Sequence, residues 1–462
     1  MTTHKSQLRY TLVALLLCLA ATPVLAHDHS DEISEEEANA PVDAILWIHM
    51  FLQATVWGFL FPIGMVLGLS RSKLHIPLQS TGFALTIGGY FLGHMHGGRK
   101  FLKSAHGTFA NIVMVFIALQ LTVGIYLKLH IHERSVRPYA VVLHGIVGRV
   151  YPIIGWTQML FGAIAYMGYC RGGHLGQCLA HYIMGSGFIA YAIIMSIMLL
   201  VGERWLRRKG RSPEFYDSLI ITLWGIVNTF TEHRGNTWSV KDMQHTILGV
   251  LWWTGGMLGL FLSRNGQRNV IPALIVIITG WAFGGHAQAL MFSTMVHTMF
   301  GYTLAVAGIT RIIEVCFIAH KDTTPSPWEE DVNDTTPRQT PSSGISPLRA
   351  FRYLPPFFLV AGGLLFMSAT DEETKYVHGT GMDHVTYILI MFSIAFFVYT
   401  FILCLIHLYP NSGRIAANRS TTNGDAIEMH PAANGRPKWY APVPTSSGGP
   451  EEERHVIGDD DD

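Results

Sequence analysis

Four histidines, His49, His75, His106 and His144, stand near the start of four successive apolar segments in a chain that carries 23 histidines. A polar ring at membrane depth is costly unless something binds it, so each is a candidate ligand. Consecutive spans run in opposite directions. His49 and His106, which open the first and third, therefore share one half of the bilayer. His75 and His144, which open the second and fourth, share the other. Two cross-bundle imidazole pairs at two depths are what a four-helix bundle needs to hold two haems, each iron between two rings. With each pair about one turn inside its own surface, the irons would stand on the order of 15–20 Å apart. For any single one of the four, the alternative is an interfacial histidine bonded to water or lipid headgroups.

The elements that must position these rings are membrane helices. The chain has 462 residues, 49% hydrophobic and only 14% charged, where soluble globular proteins carry about 25% charged residues. Lysine plus arginine and aspartate plus glutamate balance at 32 each, which excludes a chain built to wrap nucleic acid. Five cysteines are too few for a disulfide scaffold. Crossing a core of about 30 Å takes about 20 helical residues. Apolar runs of that kind fall at 42–69, 76–95, 105–127, 139–169, 179–201, 215–230, 243–262, 270–291, 294–318, 353–369 and 384–408. The expected fold is all-α, a polytopic bundle of about eleven spans, with a four-helix di-haem-like core and a second helical membrane domain.

Residues 1–26 read as a signal peptide, with a basic start, a short apolar run and Val24-Leu25-Ala26 as a cleavage site. Segment 27–41 then lies outside, residues 42–204 form the first membrane domain, and 205–319 begin the second. Residues 320–350, rich in Thr, Pro and Ser, read as a cytosolic linker, 351–409 hold the last two spans, and 410–462 form a polar tail. The N-terminus is expected outside and the C-terminus in the cytosol, in the secretory pathway or plasma membrane. Inner loops gather Arg71 and Lys73, Arg134 and Arg137, a basic run from Arg204 to Arg211, and Arg264 and Arg268, as short cytosolic loops do. The outer loop with Arg99, Lys100 and Lys103 dissents. Cys170 and Cys178 share one short outer loop, where an oxidising compartment permits a disulfide; two free thiols are the alternative.

The first four segments resemble the cytochrome b561 family. The residues that carry this are Trp47-Ile48-His49-Met50 with Trp57, Pro62, Gly64 and Arg71, then Leu74-His75-Ile76-Pro77-Leu78-Gln79. Ala105-His106-Gly107 with Gln120, and His144-Gly145-Ile146-Val147-Gly148-Arg149, continue it. The resemblance implies haem b held by His49 with His106 and by His75 with His144. The whole chain is similar to the fungal Ytp-like membrane proteins. For its second half that similarity rests on Trp224-Gly225-Ile226-Val227-Asn228-Thr229-Phe230-Thr231-Glu232-His233-Arg234 and on Gly308-Ile309-Thr310-Arg311-Ile312-Ile313-Glu314. It implies a fold and a haem expectation rather than a reaction. Pro77, two residues after His75, favours a first helical turn and places His75 at the helix mouth.

The second half loosely repeats the first. Segment 244–264 echoes 48–71, and His297 echoes His106, which offers His245 and His297 as a candidate outer pair for a third haem. A metal site drawing on His286 and His384 stands equal to it, and plain interfacial polarity is the favoured reading over both. His94, His96, His174 and His181 also fall on the outer side. His27 and His29, at the new N-terminus, are candidate copper ligands or part of a plain tail. Arg311 and Glu314 can pair on one helix face and read as structural. There is no P-loop, nucleotide fingerprint or nucleophile elbow, so any electron donor comes from elsewhere. The leading expectation is a transmembrane haem b electron carrier that reduces metal ions or a small oxidant. Its rivals are a haem-free metal-binding or transport protein using the outer histidines, and a membrane scaffold.

Overall fold

The computed structural model describes residues 33–233, 237–285, 288–318 and 347–417. The expected signal peptide, His27, His29, His286, and most of the linker and tail lie outside the described residues.

Eleven long helices fill the eleven apolar segments. They are α1 (Ala44–Leu69), α2 (His75–Met95), α3 (Ala105–Lys128), α4 (Arg137–Met167), α5 (Leu175–Leu200), α6 (Pro213–Thr231), α7 (Val240–Leu262), α8 (Ile271–Gly284), α9 (Met291–Ile313), α10 (Leu354–Met367) and α11 (His384–Leu408). Eight helices among the described residues are long and apolar enough to cross a membrane; α2 and α6 are not among them, and α8 is apolar but shorter. No strand forms among the described residues, where one isolated bridge joins Val42 and Gly98.

Polar residues set the helix ends, as the backbone's orphan N–H groups require. Asp43 caps α1 by accepting from the Leu46 N–H at 2.9 Å. Ser239 and Asp242 form a reciprocal capping box on α7, and Asp383 caps α11. Gly168, at φ +72°, closes α4 in the left-handed conformation that glycine adopts freely. Inside α1, residues Val56–Leu60 form a single π turn just before Pro62.

Helices α1 to α4 make one bundle, with α2 packed along α1, α3 along α4, and α1 against α4. Its core is Val56, Trp57, Phe61, Phe83, Val113, Ile117, Val147, Tyr151 and Ile154. The loop after α2 is tied back to the segment before α1. Asp43 accepts from the Gly97 N–H at 2.7 Å, and Lys100 meets Glu37 at 2.6 Å. That pairing accounts for the dissenting basic loop, because its charge faces the acidic segment on the same side.

The second half is built around α10, which packs against α5, α9 and α11. Of the apolar stretches, 67% of that containing α10 is buried against 17% of that in α3. Gly185 of α5 and Gly363 of α10 allow a close approach, since a Cβ on either would come within 2.6 Å of the other's carbonyl oxygen. Arg311 on α9 is buried in ion pairs with Glu214 at 2.7 Å, Asp217 at 3.0 Å and Glu314. Arg268 joins Glu214 at 2.7 Å and Glu314 at 2.9 Å. Arg311 and Glu314 thus belong to a five-residue network. Helix α11 leans on α1 through Phe397 and Phe401 against Phe59, with ring centres 5.9 and 4.9 Å apart.

Candidate functional site

The two expected histidine pairs meet inside the first bundle. The rings of His49 and His106 stand 6.2 Å apart, centre to centre, at an interplanar angle of 85°. Those of His75 and His144 also stand 6.2 Å apart, at 87°. An imidazole nitrogen binds a metal at about 2.0–2.1 Å and lies about 1.1 Å from its ring centre, so two rings trans on one metal stand roughly 6 Å apart. The pairs occupy opposite ends of the bundle. Gly64, whose carbonyl meets His75, lies fifteen residues after His49, a rise of about 22 Å along a helix.

Each ring has a seat on a neighbouring helix. His49 Nδ1–H donates to the Gly89 carbonyl at 2.6 Å, His75 Nδ1–H to the Gly64 carbonyl at 2.7 Å, and His106 Nδ1–H to the Gln158 carbonyl at 3.2 Å. A carbonyl only accepts, so these bonds place the proton on Nδ1 and leave Nε2 as the nitrogen with a lone pair to offer. His144 departs from this, with Nδ1 buried and without a hydrogen-bond partner. Behind each ring is a glycine. A Cβ at Gly93 would fall 2.6 Å from His49, one at Gly68 2.8 Å from His75, one at Gly162 3.2 Å from His106, and one at Gly124 3.4 Å from His144.

These seats follow a spacing that sequence reasoning missed. Eighteen residues after His75, His106 and His144 come Gly93, Gly124 and Gly162, and fourteen residues after them come Gly89, Gln120 and Gln158. In α1 the same positions, Gly64 and Gly68, come one residue late, at fifteen and nineteen. The π turn at Val56–Leu60 takes up that extra residue. Amides brace the arrangement. Gln158 Nε2 donates to the His106 carbonyl at 3.1 Å and Gln120 Nε2 to the His144 carbonyl at 3.2 Å. Gln53, four residues after His49, reaches the Thr86 carbonyl at 3.1 Å. His75 is the first residue of α2, the helix mouth that Pro77 implies.

Between the two pairs lies a buried aromatic cluster. Trp57 stacks on Tyr151 at 5.4 Å, and Phe61 touches Trp57 at 4.8 Å and Phe83 at 5.4 Å. Trp57 Nε1–H donates to Thr86 Oγ1 at 2.9 Å, whose hydroxyl donates to Gln53 Oε1 at 2.8 Å. In the second half, Trp252 Nε1–H donates to Thr279 Oγ1 at 2.8 Å between α7 and α8. Trp57 follows His49 by eight residues and Trp252 follows His245 by seven. The two halves share this bond, at spacings that differ by one residue.

Among the described residues His245 and His297 line one cavity without a ring contact between them. His297 of α9 faces His181 of α5 instead, with ring centres 5.8 Å apart at 84°. Helix α10 packs on both α5 and α9 and brings them together. His245 is held by Glu232 Oε2 at 3.2 Å and lies against Phe283 at 6.0 Å, which in turn touches Phe300. His384 opens α11 and is not part of this group. Cys170 and Cys178 are joined as a disulfide, their Cα atoms 5.3 Å apart, and the Cys170 N–H donates to Glu372 Oε2 at 2.8 Å.

A model of the family described as "Protein YTP1-like, C-terminal" matches residues 154–410. The chain belongs to the YTP1-like family. A second model, a domain of unknown function (DUF2427), matches residues 29–130 of this YTP1-like protein. His49, His75 and His106 lie within that match, and His144 lies between the two. Protein YTP1 of Saccharomyces cerevisiae is 42% identical over 261 residues, 56% of this chain and 52% of that protein, so the match spans about half of that relative. An uncharacterized membrane protein of Schizosaccharomyces pombe is 22% identical over 481 residues, covering 76% of this chain and 91% of its own. Another from Saccharomyces cerevisiae is 25% identical over 195 residues, 36% of this chain and 28% of its own. No solved structure matches. The protein is thus a membrane protein of the YTP1-like family.

Proposed function

We propose that helices α1 to α4 hold two haems b, one between His49 and His106 and one between His75 and His144, and that the protein carries electrons across its membrane. The observation that carries this reading is that two separate pairs, drawn from four helices, share one spacing of 6.2 Å. Chance interfacial histidines have no reason to match it. Haem b, when bound, takes up and releases one electron at a time. The chain supplies Nε2 of each ring, fixes the tautomer of three rings through Nδ1, and holds ring direction with the four glycine seats. The aromatic cluster around Trp57 and Tyr151 excludes water between the pairs. The His49 end is the outer one in this reading and the His75 end the cytosolic one. Metal ions or a small oxidant are the expected acceptors, and the donor is a separate molecule.

The test is a reduced-minus-oxidised absorption spectrum of the purified full chain after haem supplementation, beside His49→Ala and His144→Ala. Each variant is expected to lose about half of the haem signal. A wild-type chain with no Soret absorbance under these conditions overturns the proposal.

A further inference from the structure

We infer that the second membrane half binds a divalent zinc- or copper-class ion between His181 and His297, a site separate from the haems and independent of whether haem is bound. Both histidines are buried, at 8% and 4% exposure, on helices α5 and α9. Their rings stand 5.8 Å apart and nearly perpendicular. Each ring is oriented by its own helix, His181 Nδ1–H donating to the Gln177 carbonyl and His297 Nδ1–H to the Ser293 carbonyl, both at 2.8 Å. That pattern assigns Nε2 of each ring as the metal-binding nitrogen.

A cavity of about 40 Å³ opens beside the pair, with His245, Glu232 and Phe283 on its wall. That is room for an ion with a bound water, and far less than a porphyrin fills. Phe366 of α10 lies flat on the His181 ring, 4.6 Å away and 9° from parallel, and closes the apolar side. The ring spacing is one that two imidazoles sharing a metal ion adopt, and the cavity leaves room for water as the remaining ligand rather than for a porphyrin. His245, whose Nδ1 meets Glu232 at 3.2 Å, stands on the same cavity wall, where it acts as an outer-shell group that orients the ion's bound water. Imidazole nitrogens suit zinc and copper.

The experiment uses the full chain in detergent, stripped with chelator and titrated with Zn²⁺ alone, with haem quantified on the same samples. Wild type is expected to bind one tight equivalent of Zn²⁺ that His181→Ala and His297→Ala both lose. His245→Ala is expected to weaken it by about 10- to 100-fold, and haem content is expected to be equal in all four proteins. Zn²⁺ uptake unchanged in His181→Ala and His297→Ala overturns the site, as does loss of haem absorbance in His297→Ala, which would make the pair a haem site. Co²⁺ added to the wild-type chain gives a check that needs no variant: four-coordinate visible bands support the site, and a purely octahedral spectrum overturns it.

Discussion

At the scale of single residues, the glycines behind the histidine rings are as decisive as the rings. Gly93 and Gly88 sit on the same helix, yet a Cβ at Gly93 would strike the His49 ring at 2.6 Å and one at Gly88 meets nothing within 4 Å. Gly93→Ala is therefore expected to remove about half of the haem absorbance, as loss of one ligand does, while Gly88→Ala leaves the spectrum unchanged. Equal spectra for the two would show that His49 is not held at this seat. A second residue-scale prediction concerns Glu373, in the short helix Asp371–Gly379 outside the spans. Burial pushes its carboxyl up to about 7 from 4.5, and the Tyr387 hydroxyl at 2.9 Å opposes the shift only in part. The unfolded chain releases this proton near pH 4.5 and the folded chain near pH 7. Between those values the unfolded state holds fewer protons, so stability falls as pH rises. The loss is at most about 3 kcal/mol. Thermal unfolding at pH 5 and pH 7.5 should reveal it, and Glu373→Gln should flatten the difference.

At the scale of elements, the network that joins α6, α9 and the turn before α8 is expected to be unforgiving. Arg311 sits among Glu214, Asp217 and Glu314, all nearly inaccessible. Removing one member of such a group leaves a buried charge without its counterpart, a cost of about 3–5 kcal/mol. Arg311→Met should therefore lower the unfolding temperature or the yield of folded protein sharply. Much of this level was legible in the sequence. Eleven apolar runs became eleven helices because length and hydropathy are local properties. The pairs His49/His106 and His75/His144 followed from span-by-span alternation of direction alone. The partner of His297 was not legible, since it depends on α10 drawing α5 to α9, a contact between residues more than a hundred positions apart. The glycine spacing was readable but hidden, because the π turn in α1 shifts one of its four copies by a residue.

At the scale of the whole molecule, the two halves are joined by more than the chain. Trp156 of α4 donates to Ser186 of α5 at 2.9 Å, and the segment after α11 returns to the end of α1, where Ser412 Oγ donates to Ser70 Oγ at 2.7 Å. The helix at the centre of the second half, α10, is encoded after residues 319–346, so a ribosome delivers its neighbours α5 and α9 first. Those two must wait in the bilayer with their mutual face uncovered until the penultimate span arrives. A chain ended at residue 346 would leave that vacancy permanently open, a ready target for membrane quality control. Supplying residues 347–462 as a separate polypeptide in the same cell should restore its half-life, because the late helix completes the assembly by fitting into it rather than by peptide continuity.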